Sequence, residues 1–194
     1  MKHTSLTLLF ACIVSMSFAQ TERGSIFIGG NSKLDFSTNS NIEKSGLDTY
    51  QLDFSPKVGY FIFNGMVVGL QIPIQYVKET SDYSSDEAHS VGIAPFIRHY
   101  WSSAKIKPYI DASIGLGVIK SNYTLTSGSF YPSSSHTSKN ELMINFGVGL
   151  AYWITKNVSL ESGLKFNYTS YDFGGSNPVN TRGAGLNIGI AVSI

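Results

Sequence analysis

His99 and Ser102 stand close together in the chain. A histidine within reach of a serine is the combination that base-activated attack on an ester needs, and lipid-modifying enzymes use it. Metal chemistry has less to work with. The chain holds four histidines. His3 lies near the start, His89 and His136 lie in polar connections, and no two have the spacing of a ligand pair, so no metal site is expected. The one cysteine is Cys12, ahead of everything that folds, which leaves no disulfide framework and no thiolate site. A last group differs in kind. Asp53, Asp111 and Glu161 are matched by Lys57, Arg98 and Lys165 within stretches otherwise poor in charge. Gathered in one compartment they would neutralise one another, and a buried charge needs such a partner.

The elements that would gather them begin after a leader. Lys2, the apolar run Leu6–Phe18 and the small residues Ser17 and Ala19 read as a signal peptide spanning 1–19, cleaved before Gln20. That run is too short for a membrane-spanning helix. Leu9-Phe10-Ala11-Cys12 loosely resembles a lipoprotein cleavage site, but the apolar core before it is only Leu6–Ala11, so Cys12 is read as part of the discarded leader. Residues 20–194 suit one domain. Loss of Lys2 from the 14 basic residues leaves them equal to the 13 acidic ones, which argues against a nucleic-acid partner. Charged residues make up 14% of the chain, against roughly 25% in an ordinary soluble domain. With no long apolar run after the leader, the apolar residues must be deployed in a pattern rather than a block.

The pattern has a period of two. Leu186, Ile188, Ile190, Val192 and Ile194 alternate with Asn187, Gly189, Ala191 and Ser193, which gives a strand two unlike faces. The same register runs through 158–168, 142–154, 110–118, 91–101, 66–76 and 52–62, with a less regular first strand at about Ser25–Phe36. Eight strands result, most of them ten residues or longer, and no amphipathic helix. A tilted strand crosses a bilayer in about nine to eleven residues, whereas soluble strands average about five or six.

Connections alternate in length. Asn64-Gly65, Ser102–Lys105 and Thr155-Lys156-Asn157 are short; 37–48, 78–88, 120–139 and 170–182 are long and polar. Outer membrane barrels have short periplasmic turns and long external loops. The fold expected is therefore all-β, an eight-stranded antiparallel up-and-down transmembrane barrel with both termini on the periplasmic side. The apolar rows must point outward, because they carry no charge and a Lys or Arg at mid-membrane costs about 2–4 kcal/mol. Asp53, Lys57, Arg98, Asp111, Glu161 and Lys165 then share the lumen, where Phe96, Tyr100, Tyr109 and Trp153 add bulk. Tyr60, Trp101 and Tyr152 form an aromatic belt at the short-turn end, and Tyr50, Tyr76 and Tyr168 another at the long-loop end. Tyr123, Phe130 and Tyr131 in the longest loop are candidate contacts for an extracellular ligand.

Leu52-Asp53-Phe54-Ser55-Pro56-Lys57-Val58-Gly59-Tyr60-Phe61 followed by Asn64-Gly65-Met66-Val67-Val68-Gly69-Leu70 resembles a hairpin of the OmpA/OmpX-like outer membrane β-barrel family. Ala94-Pro95-Phe96-Ile97-Arg98-His99-Tyr100, Lys107-Pro108-Tyr109 and Asn145-Phe146-Gly147-Val148-Gly149-Leu150-Ala151-Tyr152 continue the resemblance over 24–194. Many relatives end in an aromatic residue read by the barrel assembly machinery, whereas this chain ends in Ile194. The resemblance implies a monomer in the Gram-negative outer membrane, bounded by lipid, but no shared activity. No catalytic residue, cofactor or metal is expected. The leading function is a structural or surface-interaction barrel with a plugged polar lumen. A narrow pore for ions or small solutes is the alternative, and a lipid A-modifying enzyme a further one. His99 and Ser102 fall at the periplasmic end, away from outer-leaflet lipid A, which sets them against the enzyme. A soluble lipocalin-like barrel would require the two faces to be exchanged.

Overall fold

A strand with one greasy and one polar face leaves both backbone edges hungry for partners, and in lipid only ring closure satisfies them all. The computed structural model is such a ring. It describes residues 21–34, 48–80, 84–101, 104–125, 134–172 and 178–194; the signal peptide expected at 1–19, with Cys12, lies outside them. The strands are β1 (Ile26–Leu34), β2 (Asp48–Phe63), β3 (Met66–Gln71), β4 (Ile74–Thr80), β5 (Ser84–Tyr100), β6 (Ile106–Leu125), β7 (Ser134–Trp153), β8 (Val158–Tyr171) and β9 (Val179–Ser193). All pairings are antiparallel, and β1 closes the ring by pairing with both β2 and β9. Ile26 and Ile194 exchange backbone bonds of 2.7 and 2.9 Å at the seam.

β3 and β4 share one place in the ring, since each pairs with β2 on one side and β5 on the other. The ring therefore has eight positions, although the strand predicted as continuous from Met66 to Tyr76 is interrupted. Pro73 is the cause, having no N–H to give to a ladder. The ladder is bridged regardless: Ile72 N–H donates to Pro56 C=O at 3.0 Å, and Gly92 N–H donates to Pro73 C=O at the same distance.

The faces are oriented as lipid requires. Ile114 and Leu116 are 55% and 57% exposed, whereas Phe61 and Val67 are fully buried inside. This excludes the lipocalin arrangement. The irregular first strand obeys the same rule, with Ile26 and Ile28 outward and Phe27 inward. Phe27 packs edge-on to Phe61 at 6.3 Å between ring centroids, and Tyr100 lies 5.8 Å from Tyr109 and 6.4 Å from Trp153. Gly149 makes this possible, because a Cβ there would stand 2.6 Å from the Tyr109 ring. At the periplasmic end the Asn64-Gly65 turn needs glycine twice over: its φ is +79°, and a Cβ would meet the Tyr100 carbonyl at 2.6 Å. The segment just ahead of β1 crosses this end, with Gly65 N–H donating to Thr21 C=O at 2.8 Å and Lys107 Nζ to Thr21 Oγ1 at 2.9 Å.

The outer end departs from the sequence prediction. Much of 78–88, 120–139 and 170–182 is strand rather than loop, and β6 and β7 run for 20 residues each. The alternation of apolar and polar residues stops where the bilayer stops, but backbone pairing does not need it and continues into water. Replacing Ile114 by Lys, on the lipid face within the aliphatic band, is predicted to lower stability by about 2–4 kcal/mol, read from urea unfolding in lipid vesicles.

Candidate functional site

Lys57 on β2, Arg98 on β5, Asp111 on β6 and Glu161 on β8 meet in the lower lumen. All four belong to the inward set of an alternating strand, and Arg98 and Asp111 are direct cross-strand partners. Arg98 Nη1 donates to Glu161 Oε2 and Nη2 donates to Asp111 Oδ2, each at 2.6 Å. Lys57 Nζ donates to the same Asp111 oxygen at 3.3 Å. The Tyr100 hydroxyl donates to Glu161 Oε1 at 2.6 Å and accepts from Arg98 Nη1 at 3.0 Å. One guanidinium thus ties together two acids on strands separated by β7, in the forked geometry that arginine alone offers.

Aromatic rings enclose the network. The Arg98 guanidinium carbon lies 4.4 Å from the Tyr109 ring centroid and 5.5 Å from that of Phe27, and Lys57 Nζ is 5.5 Å from Phe96. These contacts are attractive and most valuable where water is excluded. Arg98 is 1% exposed and Glu161 4%. Gly147, opposite Asp111 in the β6–β7 ladder, leaves the space that the carboxylate occupies. Side chains fill the barrel at this level, as eight strands allow.

Asp53 and Lys165 share this lumen nearer its outer mouth, with Lys165 close enough to act electrostatically on Lys57. They line a cavity of about 60 Å³ toward the outer mouth, with Ser55, Gln75, Ser90 and Asn145. That is room for a few waters. Glu141 also lines it; it is buried and accepts a hydrogen bond from the Ser90 hydroxyl. Sequence reasoning missed Glu141 because it began the strand at Leu142, although an outward Leu142 already implies an inward Glu141. Lys107 was missed in the same way: it is buried, with Nζ 5.2 Å from the Trp153 ring.

The belt residues face outward. Tyr60, Trp101 and Tyr152 are exposed at the short-turn end and Tyr50 at the other, where it packs on Tyr76 at 6.0 Å. Tyr168 carries Arg182 over its ring at 5.9 Å. Tyr123 is an exposed residue of β6, not of a loop; Phe130 and Tyr131 lie outside the described residues, as does Ser102. His99 packs edge-on to Trp101 at 4.8 Å, within the periplasmic belt. His136 is exposed on β7. Among the described residues no group of His, Cys, Asp and Glu is arranged to hold a metal.

Residues 58–194 match the model of a family described as Opacity family porin protein. No curated protein matches the chain. A major outer membrane protein from Thermus thermophilus aligns over 89% of this chain and 100% of its own, with a TM-score of 0.57 and 13% identity. Ail, the attachment invasion locus protein of Yersinia pestis, aligns over 89% of this chain and 99% of its own, at 0.50 and 17%. At such identities these two likenesses speak for the fold alone.

Arg98→Ala takes the cation from buried Glu161 and leaves Asp111 to Lys57 alone, and is predicted to lower stability by about 3–5 kcal/mol. Combining Arg98→Met with Glu161→Gln should recover much of the loss, because one cation and one anion then leave together while Lys57 keeps Asp111 as its partner. Urea midpoints followed by tryptophan fluorescence compare the variants.

Proposed function

The chain belongs to the Opacity family of porin proteins, and from that premise we propose that it is a non-conducting barrel whose work is done by the polar sheet it raises above the bilayer. It is an integral outer membrane protein of the Gram-negative type, set in lipid. The observation that carries the proposal is the length of the outer strands. The outward aliphatic row of β6 ends at Val118, yet β6 and β7 stay paired from Ile119 and Lys139 up to Thr124 and Ser134. β5 and β4 continue beside them, with Ser84 opposite Leu125 and Thr80 opposite Ser85. β2 stays paired with β4 as far as Asp48 opposite Thr80, so five strands leave the membrane together, carrying Ser, Thr, Asn and Tyr123.

One border of this sheet suits recognition. Pairing of β7 with β8 begins at Glu141 opposite Tyr171, so Ser134–Lys139 has β6 on one side and, among the described strands, no ladder on the other. An open edge of this kind accepts an added strand from another protein. Lys78 and Glu87 brace the base of the sheet, paired across strands at 2.6 Å. That hydrogen bond from Lys78 holds the Glu87 carboxyl below its ordinary range.

Conduction, which the family description invites, is opposed by the Arg98 network and the rings around it. Lipid A chemistry is opposed by the placing of His99 against Trp101 at the periplasmic end. In planar bilayers the purified barrel is predicted to give no discrete current steps. Steps that persist after repurification would overturn the closed-lumen reading. Replacing 120–139 by a two-residue turn should leave a folded, inserted barrel that no longer yields cross-links to external protein from a photoreactive group placed on β5 at Asp86. Undiminished cross-links would contradict the role given to the sheet.

A further inference from the structure

The lipid-facing wall is not uniform at the height where the outer leaflet's head groups begin. Tyr76, His89 and Lys120 form one continuous row across β4, β5 and β6, each the register partner of the next. Directly below them run Ile74, Val91 and Val118, also in register. Together the two rows line an outward groove of about 240 Å³. The lower row is aliphatic, with Val91 54% exposed to the lipid side. The upper row carries an ammonium, an imidazole and a phenol.

These polar groups are free to take a ligand. Tyr76 lies 4.7 Å from the His89 ring, which holds the imidazole in place over the groove. Lys120 is exposed and makes no ion pair among the described residues. The acid one row above, Glu87, is engaged by Lys78 at 2.6 Å. Facing Lys120 on the other flank is Ser138 of β7, with Asn122 next above on its own strand; neither carries charge. A fixed cation at the rim of an apolar trough, with no acid to spend it on, matches a molecule that is anionic at its head and greasy behind it.

We infer that this groove binds one phosphorylated amphiphile of the outer leaflet, its acyl chain along Ile74, Val91 and Val118 and its phosphate between Lys120 and His89. The ammonium supplies charge, and the imidazole and the Tyr76 hydroxyl supply directed donors. The site lies outside the barrel wall and is independent of whether the lumen conducts or the outer sheet binds protein.

The test uses the whole barrel, refolded in dodecyl maltoside and analysed by native mass spectrometry. Dilauroyl phosphatidic acid, dilauroyl phosphatidylcholine and inorganic phosphate are titrated separately. The barrel should retain one phosphatidic acid, several-fold more tightly than phosphatidylcholine, and should not retain inorganic phosphate at the same concentrations. Lys120→Gln should weaken phosphatidic acid about fivefold and leave phosphatidylcholine unchanged. Lys139→Gln, at a lysine on the opposite face of the sheet, should change neither. Methyl resonances of Val91 and Val118 in the unaltered barrel should shift on adding phosphatidic acid, which keeps the site testable should a variant fail to fold. Equal affinity for the two lipids, tight retention of inorganic phosphate, indifference to Lys120→Gln or unmoved valine methyls would each overturn the site.

Discussion

The structure depends on the pairing of Arg98 with Asp111 and Glu161. Lipid outside the ring forbids charge on the outer wall, and ring closure leaves one other compartment for it. An eight-stranded lumen is too narrow to keep a bulk-water core, so whatever charge enters must be neutralised by direct contact. Arg98 does this for two acids on two other strands, and Lys57 supports one of them. The wall and the centre are thus two results of one constraint. Apolar residues take alternate places of each strand because lipid demands it, and the places between inherit the polar groups and the duty to satisfy them.

Size complementarity follows from the same narrowness. Tyr109 fits because Gly149 and Gly163 stand across from it, and Asp111 fits because Gly147 does. The abundance of glycine on the inward face therefore reflects packing against rings and carboxylates rather than flexibility. Above this level the packing loosens into a small polar cavity around Asp53, Glu141 and Lys165, and beyond the bilayer the strands serve no barrier at all. There they carry side chains suited to water on both faces.

Ring order, strand number and the inside–outside assignment were legible because one signal, the period of two, repeats in every strand and is enforced by lipid. The pairing within the lumen was legible only as a charge balance. Alternation says which residues point inward, but contact depends on height along the axis, which is set by register across strands that are distant in sequence. Hence the sequence could group Asp53 and Lys165 with Arg98 by face but not place them at the height of the upper cavity, which they line. Glu141 was lost at a misjudged strand end, and the outer extensions of β6 and β7 were invisible because their residues look like loop once neither face need be apolar. The break at Pro73 was open to prediction, since proline cannot donate to a ladder; the ring nevertheless closes around it by bonds from Ile72 and Gly92.

The chain's two tryptophans lie on opposite faces, Trp101 outward at the periplasmic rim and Trp153 buried within. Brominated lipids quench only indoles that touch them, so single-tryptophan variants in vesicles brominated near the head group report directly on which face meets lipid. Strong quenching of Trp101 with little quenching of Trp153 is the result expected of this orientation. Comparable quenching of both, or the reverse order, would contradict it.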